Sequence, residues 1–285
     1  MDWLKRLNEA MEYIEKNLEG KPDPEQTAKI ACCSVFHFQR MFSYMADMPL
    51  SEYVRRRKMT KAAFDLQNGE KVLDVALKYG YDSPTAFTRA FKAVHGVPPS
   101  AAREEGVSLK SYPPICFLIT IKGDVQMDYK IIHKDAFKIV GHKRHYAGSV
   151  EECFQQVPLF WGEAHANGWI PPLCPLMDGE PMGVLGVSAC QNPHDFDYFI
   201  AVATNKDTPE GLSEYVVPAC TWAVFESVGP MPGAIQALQK RIVTEWLPNS
   251  GYEYADAPDI EVYGPGDQSA ADYRCEVWLP VVKKG

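Results

Sequence analysis

"SPTAFTRAFKAVHGVPPSAA", Ser83 to Ala102, repeats an earlier stretch of the same chain, "SVFHFQRMFSYMADMPLSEY", Ser34 to Tyr53, without a gap. The shared positions are Ser34/Ser83, Phe38/Phe87, Arg40/Arg89, Phe42/Phe91, Pro49/Pro98 and Ser51/Ser100. Each serine stands where a helix N-cap belongs. Each pair of phenylalanines is four residues apart, so it lies on one helix face and can anchor that helix to a core. A short helix and a turn precede each serine, which makes the unit a helix-turn-helix, written twice. Arg40 and Arg89 project away from the phenylalanine face, and arginine's planar fork suits guanine edges and phosphates. Two such helices about 34 Å apart would enter successive major grooves. The plain alternative is a pair of solvent-facing arginines in an ordinary bundle; repetition at a fixed offset, with the same Pro and Ser after each helix, favours double-stranded DNA.

The surroundings agree with a helical first region. In "DWLKRLNEAMEYIEKNL" the apolar residues Leu4, Leu7, Met11, Ile14 and Leu18 fall at helical spacing. Asp23-Pro24 reads as an N-cap followed by proline at the first helical position. "EYVRRRKMTKAAFDLQ" is a long amphipathic helix, and "KVLDVALKYG" a shorter one ending at Gly80. Four consecutive basics, Arg55 to Lys58, must point in different directions on a helix, so at most two can face one phosphate backbone; a solvated face with internal salt bridges competes with that role.

Composition bounds the rest. The chain has 285 residues and a net charge of -8, carried by residues 108–285; residues 1–107 hold 16 Lys+Arg against 15 Asp+Glu. Nucleic-acid binding therefore rests on motif and local patches rather than overall charge. The N-terminal residues carry acids and do not read as a signal peptide. No stretch approaches the ~20 apolar residues of a membrane span, and the expected location is the cytoplasm. Eight scattered cysteines form no C-x-x-C pair. They read as mostly buried, reduced thiols, with no metal or cofactor expected.

Residues 1–107 resemble the DNA-binding domain of the AraC/XylS transcription regulators, on "SVFHFQRMFSYMADMPLSEYVRRRKMTKA" and "VLDVALKYGYDSPTAFTRAFKAVHGVPPSAAR". The resemblance implies an all-α fold of seven helices, with two helix-turn-helix units joined by one long helix. It places the base- and backbone-facing positions at Phe36, Gln39 and Arg40 in the first unit, and at Thr85 and Arg89 in the second. Two positions depart from the pattern. Cys32 stands where the first turn commonly has glycine, and Pro84 and Ala86 leave the second helix poor in hydrogen-bonding groups.

Residues 108–126 read as a connector, although its "ICFLITI" is capable of pairing as a strand. Residues 127–285 hold five of six tryptophans and eight tyrosines, so an aromatic, acidic cleft is expected for flat, apolar, often cationic molecules. Two halves each run strand, helix, strand, with Trp161 and Trp246 near the ends of their helices. This predicts an α+β domain of pseudo-twofold symmetry. In "DIEVY" alternation sends Ile260 and Val262 one way and Asp259, Glu261 and Tyr263 the other. The region resembles a GyrI-like effector-binding domain, most tellingly in "PDIEVY" and "YRCEVWLPV". That resemblance implies a ligand site at Glu261 and Tyr263, in a multidrug-sensing regulator of Rob-like layout. Activation or repression through a small-molecule effector, with RNA polymerase as a further partner, follows as the expected function. The alternatives are a hydrolase using Glu261 as general base or a protein-interaction module. No Ser/Cys–His–acid constellation is visible among the seven histidines, so no catalytic residue is assigned and an enzyme is not expected.

Overall fold

The computed structural model describes residues 3–104, 106–117, 126–147, 150–192 and 195–284. The chain separates into two units, residues 1–35 with 46–119, and residues 36–45 with 120–285.

Among the described residues, six α-helices precede the first strand: α1 (Trp3–Lys16), α2 (Pro24–Ala31), α3 (Val35–Ala46), α4 (Leu50–Gln67), α5 (Val72–Lys78) and α6 (Pro84–His95), with a 3-10 turn at Pro99–Arg103. All but the body of α3 belong to the first unit. Local chemistry sets their ends. Asp23 caps α2 by accepting from Glu25 N at 2.9 Å, with Pro24 at the first helical position. Ser83 accepts from Ala86 N at the start of α6. Helix α5 is closed by Gly80, whose φ is +77° and whose Cβ, if present, would lie 2.7 Å from the Gly20 carbonyl oxygen. Phe87 and Phe91 are fully buried, in a core with Met59, Ala62, Leu66, Val75 and Val94.

The second half of the basic run on α4, Arg57 and Lys58, is buried and structural. Arg55 and Arg56 both pair with Glu52. Arg57 grips Glu15 with two bonds, of 2.9 and 2.7 Å, and also donates to the Tyr112 carbonyl. Lys58 donates to the carbonyls of Gly20 and Tyr79. Burial alone would raise the Glu15 carboxyl, but Arg57 and the Tyr53 hydroxyl outweigh it and hold the group below its ordinary range. Residues of the expected connector join this unit: Tyr112 N donates to Thr60 Oγ1, Ile115 N to the Tyr53 hydroxyl, and Phe117 exchanges two hydrogen bonds with Asn8. Ile115–Phe117 form no strand, and the remainder of "ICFLITI" lies outside the described residues.

The second unit is built on nine antiparallel strands: β1 (Tyr129–Lys134), β2 (Phe137–Ala147), β3 (Val184–Asn192), β4 (Asp195–Ala203), β5 (Ser213–Val217), β6 (Cys220–Val228), β7 (Tyr252–Tyr254), β8 (Asp259–Tyr263) and β9 (Arg274–Lys283). The order β1-β6-β9-β8-β3-β4-β2-β5 is palindromic about the central β3–β8 pair, with β7 beside β9. Each half is therefore strand, helix, strand, strand. The helices are α7 (Val150–Ala166) and α8 (Gly233–Arg241), the latter continued by a π turn at Ile242–Trp246. Strands β1 and β5 each pair across to the other repeat's first strand, β1 with β6 and β5 with β2. One face of the sheet carries an apolar layer including Ile139, Val187, Trp222, Ile260, Val262 and Trp278. The other carries Tyr198 and Ile200 against Phe160 and Ala164 of α7.

The expectation of buried thiols needs correction: of the six described cysteine side chains only Cys275 is buried, while Cys32, Cys116 and Cys174 are exposed. Cys32 is exposed because it makes the turn. It ends α2 in the left-handed conformation, at φ 54°, with its N–H on the carbonyls of Ala28 and Lys29. A residue with a Cβ loses about 1–2 kcal/mol there, against the unfolded-state entropy that glycine would add back. Cys32→Gly should therefore stabilise the protein by about 0.5–1 kcal/mol, read as a higher urea midpoint with an unchanged slope.

Candidate functional site

Alternation along β8 builds the site. Ile260 and Val262 enter the apolar layer, and Asp259, Glu261 and Tyr263 project from the opposite face. Glu261 lies at the centre of that face, and each of its oxygens is held. Gln239 of α8 donates to Oε1 at 2.6 Å, and the Tyr263 hydroxyl donates to Oε2 at 2.8 Å. The aromatic wall comes from the first repeat. Trp161 of α7 donates its Nε1 to the Tyr198 hydroxyl at 2.9 Å and meets Tyr263 edge-on at 4.9 Å. Gly186 of β3 makes room for this grouping. A Cβ at that position would stand 2.3 Å from the Tyr198 hydroxyl, 3.2 Å from Glu261 Oε2 and 3.3 Å from the Trp161 ring. Burial, reinforced by the Glu261 charge, pushes the Tyr198 and Tyr263 phenols far above their ordinary range, so both stay protonated.

Residues Phe36–Met45 of α3 are part of this unit and sit in the same site. Arg40, 7% exposed, donates to Asp259 Oδ2 at 2.5 Å. His37 lies 3.5 Å from the same oxygen and stacks on Tyr254 at 4.1 Å. Tyr44 donates to Gln239 Oε1 at 2.6 Å, which links α3 to Glu261 through one amide. Phe36 joins the cluster of Tyr146, Phe160, Phe196 and Tyr198, with its ring 5.5 Å from that of Phe196.

The residues singled out from sequence thus divide in three. Glu261 and Tyr263 are in direct contact. Thr85 and Arg89 lie exposed on α6, beside the buried Phe87 and Phe91. Phe36 and Arg40 are buried in the second unit, with Gln39 half-buried beside them. The two equivalent arginines of the repeat consequently have opposite surroundings. Sequence reasoning did not find Trp161, Tyr198, Gln239 and Gly186 as members of the site; only the spatial closure of two repeats brings them to Glu261. A separate groove of about 550 Å³ is lined by Lys130, Glu226, Val262, Glu276 and Trp278. It lies on the side to which Val262 points, away from Glu261. Four of its charged residues form two ion pairs, Lys130 with Glu276 and Arg274 with Glu226. Among the described residues, no group of three or more His, Cys, Asp or Glu could hold a metal ion. No described helix is long and apolar enough to cross a membrane.

Comparison with known proteins adds the following. Residues 127–282 match the GyrI-like small molecule binding domain family, and residues 27–105 match a helix-turn-helix domain family. Over 99% of its length the chain is 24% identical to the right origin-binding protein of Escherichia coli (strain K12), covering 99% of that protein. Over 98 residues, 34% of this chain and 73% of the relative, it is 39% identical to the HTH-type transcriptional activator AarP of Providencia stuartii. The solved structure of SAV2435 bound to tetraphenylphosphonium shares the fold over 55% of this chain and 94% of that one, with a TM-score of 0.51 and 24% identity.

Burial would raise the Asp259 carboxyl, but Arg40 and then His37 more than offset it, leaving the group below its ordinary value of 3.8. A depressed native pKa contributes stability that is complete above the unfolded value of about 3.9 and is lost as pH falls through the native one. Acid titration of tryptophan fluorescence should show this loss below about pH 4, and Asp259→Asn should flatten it. Superimposable acid limbs in the two proteins would contradict the assignment.

Proposed function

The chain belongs to the GyrI-like small molecule binding domain family, here joined to an AraC-type helix-turn-helix domain, and from that premise we propose how the two parts divide the work. The protein is a DNA-binding transcription regulator of the AraC family. In our reading Thr85 and Arg89 on α6, and Phe36, Gln39 and Arg40 on α3, are the side chains that meet duplex DNA. Glu261 and Tyr263 meet the effector, a hydrophobic cation. Exposure of Arg89 on a helix pinned by buried Phe87 and Phe91 supports the first assignment. The second helix offers few base-reading groups beside Thr85, so Arg89 serves phosphate contact and register.

One observation carries the effector reading. Two carboxylates, Asp259 and Glu261, share a strand face, and Glu261 is walled by Trp161, Tyr198 and Tyr263. Aromatic faces and carboxylates together favour a desolvated cation through ring quadrupole and charge. This arrangement supports binding over hydrolysis. Each Glu261 oxygen already accepts a bond from a side-chain donor, which opposes use of that carboxylate as a general base. The relative AarP is named a transcriptional activator, in keeping with a non-enzymatic role. Location in the cytoplasm and contact with RNA polymerase complete the reading.

Two measurements test it. Duplexes enriched by the full chain from a random-sequence pool should bind Arg89→Ala more weakly whatever their sequence, with a salt slope lower by about 1; an unchanged affinity and slope, or no enrichment even at low salt, would reject the DNA assignment. Tetraphenylphosphonium, titrated by calorimetry, should bind wild type and lose at least tenfold in affinity with Glu261→Gln; equal affinities would remove Glu261 from the pocket.

A further inference from the structure

The body of α3 fills the effector site with the chemistry that site selects. Phe36 supplies an aromatic ring to the Tyr146–Phe160–Phe196–Tyr198 cluster of the first repeat. One helical turn on, Arg40 supplies a cation to Asp259. A further turn on, Tyr44 reaches Gln239 of the second repeat, the residue that holds Glu261. Every i+4 step along one helix face therefore touches a different wall of the site. This face is distinct from an ordinary apolar packing seam. At its centre is a guanidinium donating to a carboxylate, each less than a tenth exposed.

We propose that α3 is a built-in stand-in for the effector, its Phe36 and Arg40 imitating an aromatic cation, and that an arriving hydrophobic cation displaces it and frees the helix for DNA. The proposal rests on the effector and DNA-contact readings above and adds the link between them. The physical reason for the exchange is charge. If α3 left unaided, Asp259 would lose the cation it pairs with and stand beside the Glu261 carboxylate uncompensated, a costly state. A cationic aromatic molecule restores both the charge and the ring contact, so it can replace α3 where a neutral molecule of equal size cannot. The ligand class is narrowed accordingly, to a positive centre that carries an aromatic ring. The link also assigns a sign to the regulation. The same Arg40 cannot face Asp259 and DNA at once, so effector binding and DNA binding by α3 reinforce each other.

Hydrogen-exchange mass spectrometry on the full chain tests the docking without a ligand. In Asp259→Asn, amides of residues 36–45 should exchange at least tenfold faster than in wild type, while β2 and β4 keep their wild-type rates. Unaltered exchange over 36–45 would overturn the proposal. The ligand arm uses tetraphenylphosphonium. Saturating wild type with it should likewise speed exchange over 36–45, and should tighten binding to the selected duplex at least tenfold. Arg40→Ala should bind the probe at least tenfold more tightly than wild type, because the competitor has lost its cation. Binding that depends on Glu261 but is equal in wild type and Arg40→Ala, with exchange over 36–45 unchanged, would overturn the stand-in and leave the effector reading intact. No binding to either protein would sink the effector reading, and displacement with it.

Discussion

The buried pair between Arg40 and Asp259 is the constraint on which the site of the second unit depends. A guanidinium and a carboxylate, each less than a tenth exposed, have both given up water, and neither tolerates the loss of the other. The pair works only because β8 alternates. Ile260 and Val262 root the strand in the apolar layer, which forces Asp259 and Glu261 onto the opposite face. The His37 ring beside Asp259 and the Gln239 amide beside Glu261 add further partners for the two carboxylates on that face.

Much of this was legible because it is local. The Asp23-Pro24 cap, the closing Gly80, the four-residue phenylalanine spacing and the alternation in "DIEVY" each follow from chemistry within a few residues, and each stands in the structure as read. The basic run on α4 was open between phosphate contact and internal pairing. Burial and internal partners settle it for Arg57 and Lys58, yet Glu15 and the Tyr112 carbonyl lie about forty residues or more away in sequence. Arg40 was beyond reach for the same reason, since its partner is 219 residues away. The repeat made Arg40 and Arg89 look equivalent. What separates them is the surface each helix meets, and the repeated motif carries no information on that.

Strands β3, β5 and β7 escaped the sequence reading, and β3 is instructive. Its "VLGVSACQN" is weakly strand-like because glycine and small residues dilute the β-branched signal. The glycine is the reason the site exists in its present form. Gly186 sits in a central strand, where a side chain would normally strengthen packing, and the space it leaves holds the Tyr198 hydroxyl beside Glu261. A weak local signal and a functional requirement coincide at one residue.

The two repeats show how a symmetric frame yields a one-sided site. Each half of the palindromic strand order has a tryptophan near the end of its helix, Trp161 and Trp246. Trp246 is enclosed by Tyr129, Phe225 and Tyr252, an apolar packing solution. Trp161 instead gives its indole N–H to Tyr198 and its edge to Tyr263, and so becomes part of a polar wall. Strand exchange makes the difference possible. β1, which carries Tyr129, crosses to pair with β6 and closes the second half around its tryptophan. Its counterpart β5 pairs with β2 at Phe137–Gly141, short of the part of β2 that carries Tyr146 into the aromatic cluster. That cluster is left to be completed by Phe36 of α3. The faintness of the internal repeat is therefore expected: the fold needs only the apolar alternation to be shared, and the site needs the two halves to differ.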